Sequence, residues 1–168
     1  PMHHMVELVD WCRFLVDREP TSVTGISHKS GHGPYDTDYE MISLDFSSDI
    51  SGGNQPVTAQ LSCGHYLPES WPEAISFRPP TALQIACKNG VAFIDLPSTV
   101  TWFDNSGRHR ESLESDRPVG EQLLQHFVRA VTSLVRRQSD LNDAYRSMAI
   151  VLAGRESDKD GRRIEIET

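Results

Sequence analysis

The stretch Leu83–Leu96, LQIACKNGVAFIDL, decides the fold class. Two apolar runs of period two flank Asn89-Gly90, a dipeptide that tolerates positive φ at both centres of a type I′ turn, so the pattern predicts a tight antiparallel hairpin. Downstream, Thr99–Leu113 (TVTWFDNSGRHRESL) repeats it with Asp104-Asn105-Ser106-Gly107 as the turn. Arg108, Arg110 and Glu111 mark the second strand there as a solvated face or an edge. Upstream, Thr21-Ser22-Val23-Thr24 leads a strand-like run, and Ser30–Asp38 (SGHGPYDTD) reads as a turn-rich loop. Next, Met41, Ser43 and Asp45 alternate with Ile42, Leu44 and Phe46. A polar loop, SSDISGGNQP, then leads into VTAQLSCGHY. Strand follows strand with no helical crossover between them, which is a meander.

Helices bracket this run. Met5, Leu8, Val9, Cys12, Leu15 and Val16 recur at helical spacing, predicting a helix over about residues 4 to 17 that ends at Arg18-Glu19-Pro20. Leu123, Leu124, Phe127, Val128, Val131, Leu134 and Val135 predict another from about 119 to 137. Ser139 or Asp140 then caps a third, carrying Leu141, Ala144, Tyr145, Met148, Val151 and Leu152. SDKDG (Ser157–Gly161) reads as a turn, and Arg163–Glu167 as a short final strand. The order argues a single α+β domain over residues 1–168, a mostly antiparallel open sheet with helices packed on one face. On the other face Leu83, Ile85 and Cys87 alternate with Gln84, Ala86 and Lys88, leaving apolar atoms for a partner subunit or domain to cover.

Composition narrows the function. With 16 Lys+Arg against 24 Asp+Glu the formal charge is -8, which repels a phosphate backbone and argues against nucleic acid as a partner. No apolar run approaches the roughly 20 residues that span a bilayer, so no membrane partner is expected. Cys12, Cys63 and Cys87 are odd in number, widely spaced and set in apolar contexts, which suits buried free thiols in a reducing cytoplasm. Trp11 and Trp102 lie in periodic segments and read as packing residues. The chain opens on Pro1 and turns helical almost at once, and the expectation is a fragment.

No GxGxxG or GxxxxGK[ST] phosphate loop and no GxSxG elbow occurs. GISHKSGHG, with His28, Lys29 and His32, matches no site geometry and reads as a hairpin loop. Two groups of residues carry more. His3 and Glu7 stand four apart on one helix face with His4 one position round, either the polar start of an exposed helix or a carboxylate and imidazole sharing a proton or a metal. In CGHYLPESWPEAISFRPP, the groups His65, Tyr66, Glu69, Trp71 and Arg78 sit between prolines, as a rigid loop over a pocket or as a strand end with Trp71 on the core.

Three segments together resemble the C-terminal domain of the Gfo/Idh/MocA family of NAD(P)-dependent oxidoreductases. They are ELVDWCRFLVDREPTSV (Glu7–Val23), LQIACKNGVAFID (Leu83–Asp95) and PVGEQLLQHFVRAVTSLVRRQSDLNDAYRSMAIVLAGRESDKDGRRIEI (Pro118–Ile166). The resemblance covers nearly all of this chain and none of the family's Rossmann domain. The family's D-x-G-x-H-x-x-D segment falls on His3, Met5, Glu7 and Asp10, with agreement at Asp10 alone.

The resemblance implies hydride transfer between NAD or NADP and a hydroxyl carbon of a sugar, polyol or related compound. In that reading Glu7 accepts the hydroxyl proton, His3 orients it, and His4, Tyr66 and Trp71 contact substrate. It further implies a homo-oligomer, a missing Rossmann domain that holds the cofactor, and no activity from this chain alone. Two rivals stand beside it: a stand-alone binding or assembly module, and a metal-dependent hydrolase using His3, His4 and Glu7.

Overall fold

A computed structural model describes residues 2–29, 39–47, 55–64, 83–95, 99–112, 118–132 and 141–166. The elements run α1 (Met2–Val16), β1 (Ser22–His28), β2 (Tyr39–Asp45), β3 (Thr58–Gly64), β4 (Leu83–Cys87), β5 (Gly90–Asp95), β6 (Thr99–Asp104), β7 (Gly107–Ser112), α2 (Val119–Thr132), α3 (Leu141–Asp160) and β8 (Ile164–Glu165). This is the expected α+β class, with its strands divided between two four-stranded sheets. Their orders are β3-β2-β1-β8 and β4-β5-β6-β7, and every pairing is antiparallel. The chain forms two compact units, Pro1–Pro68 with Gln138–Thr168, and Glu69–Arg137.

In the first unit, alternation along the strands decides which face is buried. Register places Val23 opposite Leu44 and Gly25 opposite Ile42, while Leu61 faces Ile42 across β2 and β3. These residues share one face and meet Met5, Val9 and Cys12 of α1 and Ile150 and Val151 of α3 in the core. Each large apolar side chain buried there contributes roughly 1.5–3 kcal/mol. Phe46, fully buried just past β2, donates its amide to Val57 O at 2.8 Å and extends the β2–β3 ladder by one step.

The helix α3 reaches the sheet by way of glycine. A Cβ on Gly25 would lie 2.0 Å from the carbonyl oxygen of Gly154, so helix and strand meet backbone to backbone. The contact lets α3 finish the sheet. β8 pairs with β1 at Ser22 and Val23 alone, and beyond it β1 donates its edge amides to α3 instead: Gly25 N to Ser157 Oγ at 3.1 Å and Ser27 N to Asp158 Oδ1 at 3.0 Å. The segment SDKDG is therefore the last turn of α3 and not a free turn. Its Ser and Asp are held in the helix by strand amides, and Gly161, at φ 63°, ends it.

In the second unit the hairpin is present with a different turn. Cys87 pairs with Gly90, so Lys88-Asn89 are the central residues. Among the described residues positive φ occurs at Asp17, Gly107 and Gly161, and so not at Asn89-Gly90. Gly90 is needed for another reason: a Cβ there would sit 2.4 Å from Phe103 O on β6. The second turn is as read, with Asp104 paired to Gly107 and β7 at the sheet edge.

Gly25→Ala must drive a methyl into a carbonyl with no flexible neighbour to yield. It should cost on the order of 3 kcal/mol in urea unfolding. Gly120→Ala, in α2 where a Cβ meets nothing within 4 Å, should be neutral or stabilise by up to about 1 kcal/mol.

Candidate functional site

The site is built on α1, whose inner face is held by an arginine. Arg13 lies on the buried stripe with Met5, Val9 and Cys12 and is only 8% exposed. Its guanidinium grips Glu19 bidentately, Nε to Oε2 at 2.8 Å and Nη2 to Oε1 at 2.6 Å. Nη1 donates to Asp143 O at 2.9 Å and Ser147 Oγ at 2.8 Å, and lies 3.4 Å from Asp10 Oδ1. Ser147 Oγ donates in turn to Asp10 at 3.0 Å, and Arg146 reaches Glu19 at 3.1 Å. Every guanidinium nitrogen thus has an acceptor, the condition under which a buried charge is tolerated. Hydrogen bonding to Arg13 holds the Glu19 carboxyl below its ordinary range, and the same bond holds Arg13 above its own.

A second pair supports the first turn of α1. Arg155 Nε donates to the buried Glu40 Oε1 at 2.5 Å, and its Nη1 lies 3.4 Å from the Met2 sulfur. Among the described residues Glu40 Oε2 has no hydrogen-bond partner. The contacts Met2–Arg155, Asp10–Ser147 and Arg13–Asp143 make α1 and α3 antiparallel neighbours.

With one side of α1 fixed, the other is presented outward. His3 Nε2 stands 3.1 Å from Glu7 Oε1, and His4 Nδ1 3.6 Å from Glu7 Oε2. The structure therefore brings together the three candidate residues of the helix start. His3 and Glu7 are 82% and 54% exposed, so the pair is open to a ligand approaching from outside the unit. A carboxylate between two imidazoles can accept a hydroxyl proton while a ring N–H holds the oxygen. Among the described residues no group of three His, Cys, Asp or Glu side chains is arranged to hold a metal ion. Tyr66 and Trp71, like His65, Glu69, Arg78 and His32, lie outside the described residues.

Several expected packing positions are turned outward. Trp11 and Leu15 are exposed, as are Leu141, Tyr145, Met148 and Leu152 on α3 and Leu123, Leu124, Phe127, Val128 and Val131 on α2. The inner face of α3 is made of Ser147, Ile150, Val151, Gly154 and Ser157, of which the small Ser147, Gly154 and Ser157 permit the close approach to β1. Cys12 is buried as expected, and burial raises its thiol pKa, whereas Cys87 is exposed at the end of β4.

One cluster went unread in the sequence. At the β6–β7 turn Ser106 Oγ is 2.9 Å and Asp104 Oδ1 3.2 Å from His109 Nε2, with Trp102 stacked on the imidazole. Ser, His and Asp are all present, yet hydroxyl and carboxylate meet the same ring nitrogen, so the imidazole cannot pass a proton between them. The group is a turn lock. The hydroxyl and amide of Ser106, then His109, pull Asp104 down to about 2.

Neither a protein-family model nor a curated protein sequence matches the chain. Solved structures do. An aldose-aldose oxidoreductase from Caulobacter crescentus complexed with glycerol aligns with a TM-score of 0.75 at 13% identity, over 96% of this chain and 46% of that one. An oxidoreductase from Agrobacterium radiobacter in complex with NAD+, L-tartaric acid and magnesium aligns at 0.68 and 16%, over 95% and 47%. A Thermotoga maritima protein provisionally described as an oxidoreductase aligns at 0.68 and 19%, over 96% and 45%. The chain thus has the fold of one half of an oxidoreductase, and spans about half the length of the structures it matches. The likeness is one of fold, at 13% to 19% identity, and accords with the fold that the resemblance of the three sequence segments implies.

Glu19 sets a pH dependence. Because its folded pKa is depressed, its contribution to stability is complete above the ordinary carboxylate pKa and is lost as pH falls through the lowered value. Urea midpoints measured through this acid window should fall in the parent chain. In Arg13→Met, already weaker at neutral pH, the Glu19 share of that slope should shrink to what Arg146 alone supplies.

Proposed function

We propose that residues 1–168 are the C-terminal substrate-binding and oligomerisation domain of an NAD(P)-dependent oxidoreductase of the Gfo/Idh/MocA kind. The observation that carries this is the His3–Glu7 pair, 3.1 Å apart on the exposed side of α1, in a fold shared with half of the oxidoreductases above. The substrate is a sugar, polyol or similar hydroxy compound, a reading supported by the aldose-aldose oxidoreductase among the matched structures.

The described strands pair antiparallel, and among the described residues no glycine-rich loop leads from a strand into a helix as a dinucleotide's phosphates require. The cofactor would be held by another half of the protein, and when bound it supplies the acceptor for hydride from the hydroxyl carbon. This chain's part is the proton. Glu7 takes it from the substrate hydroxyl, and His3, its ring nitrogen 3.1 Å from Glu7 Oε1, orients the carboxylate and steadies its charge. His4 reaches the same carboxylate from the other side, and Tyr66 and Trp71 complete the substrate contacts. The swap of His3 and Glu7 for the family's usual Asp and His keeps one acid and one imidazole and exchanges their places.

The oligomer rests on the second sheet. Leu83, Ile94 and Val100 share one face and Val91 and Phe103 the other, yet none of its described residues is buried. A second subunit over one face would supply the missing cover, giving a cytoplasmic dimer or tetramer. No described helix is long and apolar enough to cross a membrane.

Glu7→Gln keeps shape and removes the base. In the polypeptide that includes the cofactor-binding half, it should lower turnover by at least about tenfold with the circular dichroism spectrum unchanged. An unchanged rate would instead favour the rival reading, a binding or assembly module in which the pair does no chemistry.

A further inference from the structure

We propose that two copies of this chain associate by exchanging α2, the apolar side of each helix lying on the second sheet of the other copy. This rests on the homo-oligomer proposed above and names the parts that make it. Leu123, Leu124, Phe127, Val128 and Val131 recur at helical spacing on one side of α2, opposite Gln122, Gln125 and Arg129, and are 51% to 70% exposed. A helix of 14 residues is marginal by itself in water, so an apolar side of this extent has to be covered.

The sheet of the same unit has the matching lack. Register sets Leu83, Ile94 and Val100 in one row across β4, β5 and β6, and Ile85, Ala92 and Trp102 in the next. All six share one face and are only half-buried. The opposite face is broken by Gln84, Asp95, Thr101 and Arg110. A helix of 14 residues is about 21 Å long and strands of five or six residues about 17 to 20 Å, so one α2 covers the apolar block from end to end.

Two features choose a second copy as the occupant. Within one chain the two apolar surfaces do not cover each other: α2 begins soon after β7 ends, yet its apolar side stays open. The other feature is charge. Glu69–Arg137 holds eight basic and eight acidic residues, so the net charge of -8 falls wholly on Pro1–Pro68 with Gln138–Thr168. Copies that meet through the neutral unit escape the repulsion the whole chain would otherwise impose. A reciprocal exchange also closes, because each copy gives one helix and receives one about a two-fold axis.

The test is sedimentation equilibrium of residues 1–168, with hydrogen exchange of the α2 amides followed over the same concentrations. The expected result is a dimer whose formation and α2 protection rise together. Phe127→Glu with Val131→Glu on the helix, and Val100→Glu on the sheet, should each weaken dimerisation by at least about a hundredfold with the circular dichroism spectrum retained. Mixing the two variants should recover part of the association, since the intact helix of one then meets the intact sheet of the other. The helix variant decides alone if the sheet variant does not fold, because its substituted side chains are exposed. A dimer unchanged by Phe127→Glu with Val131→Glu is held by other surfaces, which overturns the exchange and leaves the oligomer standing, and folded variants that fail to associate when mixed overturn the exchange as well. Protection of α2 that is independent of concentration places the helix on its own sheet and overturns the exchange, and a chain that stays monomeric throughout overturns the exchange and the oligomer together.

Discussion

The first unit depends on one buried guanidinium. Arg13 ties the end of α1 to Glu19 in the following link and to Asp143 and Ser147 across on α3, so the start of the unit and a helix distant in sequence share one charge cluster. An arginine so placed tolerates no slack, because any partner that moves away leaves charge uncompensated in a low-dielectric interior. The rotation of α1 about its axis follows from it. Met5, Val9 and Cys12 face the sheet while His3, Glu7, Trp11 and Phe14 face out.

The same constraint gives Asp10 a role. It is the one residue that agrees with the family's segment, and it accepts from Ser147 and faces Arg13 instead of any ligand. Asp10 thereby works on positioning, while the reactive candidates one and two turns earlier stay free at the surface. Fixed helix and exposed pair are two sides of one arrangement, since preorganisation of a site needs its support locked elsewhere.

Much of this was legible in the sequence, for physical reasons. Period-two alternation placed the strands because a sheet buries one face, and the stripe on α1 was found because Met5, Val9 and Cys12 obey the helical period. The failures share a cause. On α3 both faces are eligible: Leu141, Tyr145 and Leu152 form the more apolar stripe, yet the buried one uses Ser147, Gly154 and Ser157, whose value is small size and not hydrophobicity. Close approach of backbones, as at Gly25 and Gly154, leaves no mark in an apolar pattern. Gly90 was singled out correctly for the wrong property, clearance from Phe103 O and not positive φ. Arg13 did leave a signal, a charge four residues after Val9 on an apolar stripe. The pairing of His3 with Glu7 could be read from spacing alone, and their exposure is one of the two alternatives that spacing leaves open for the helix start.

Native-state hydrogen exchange in Arg13→Met tests the central claim most directly. If the guanidinium locks α1 onto α3, the slowest amides of both helices should exchange faster together, by roughly a hundredfold for a loss of about 3 kcal/mol. If α1 keeps its protection while α3 alone loosens, or if neither changes, the helix is held by its apolar face and the account of how the His3–Glu7 pair is presented is wrong.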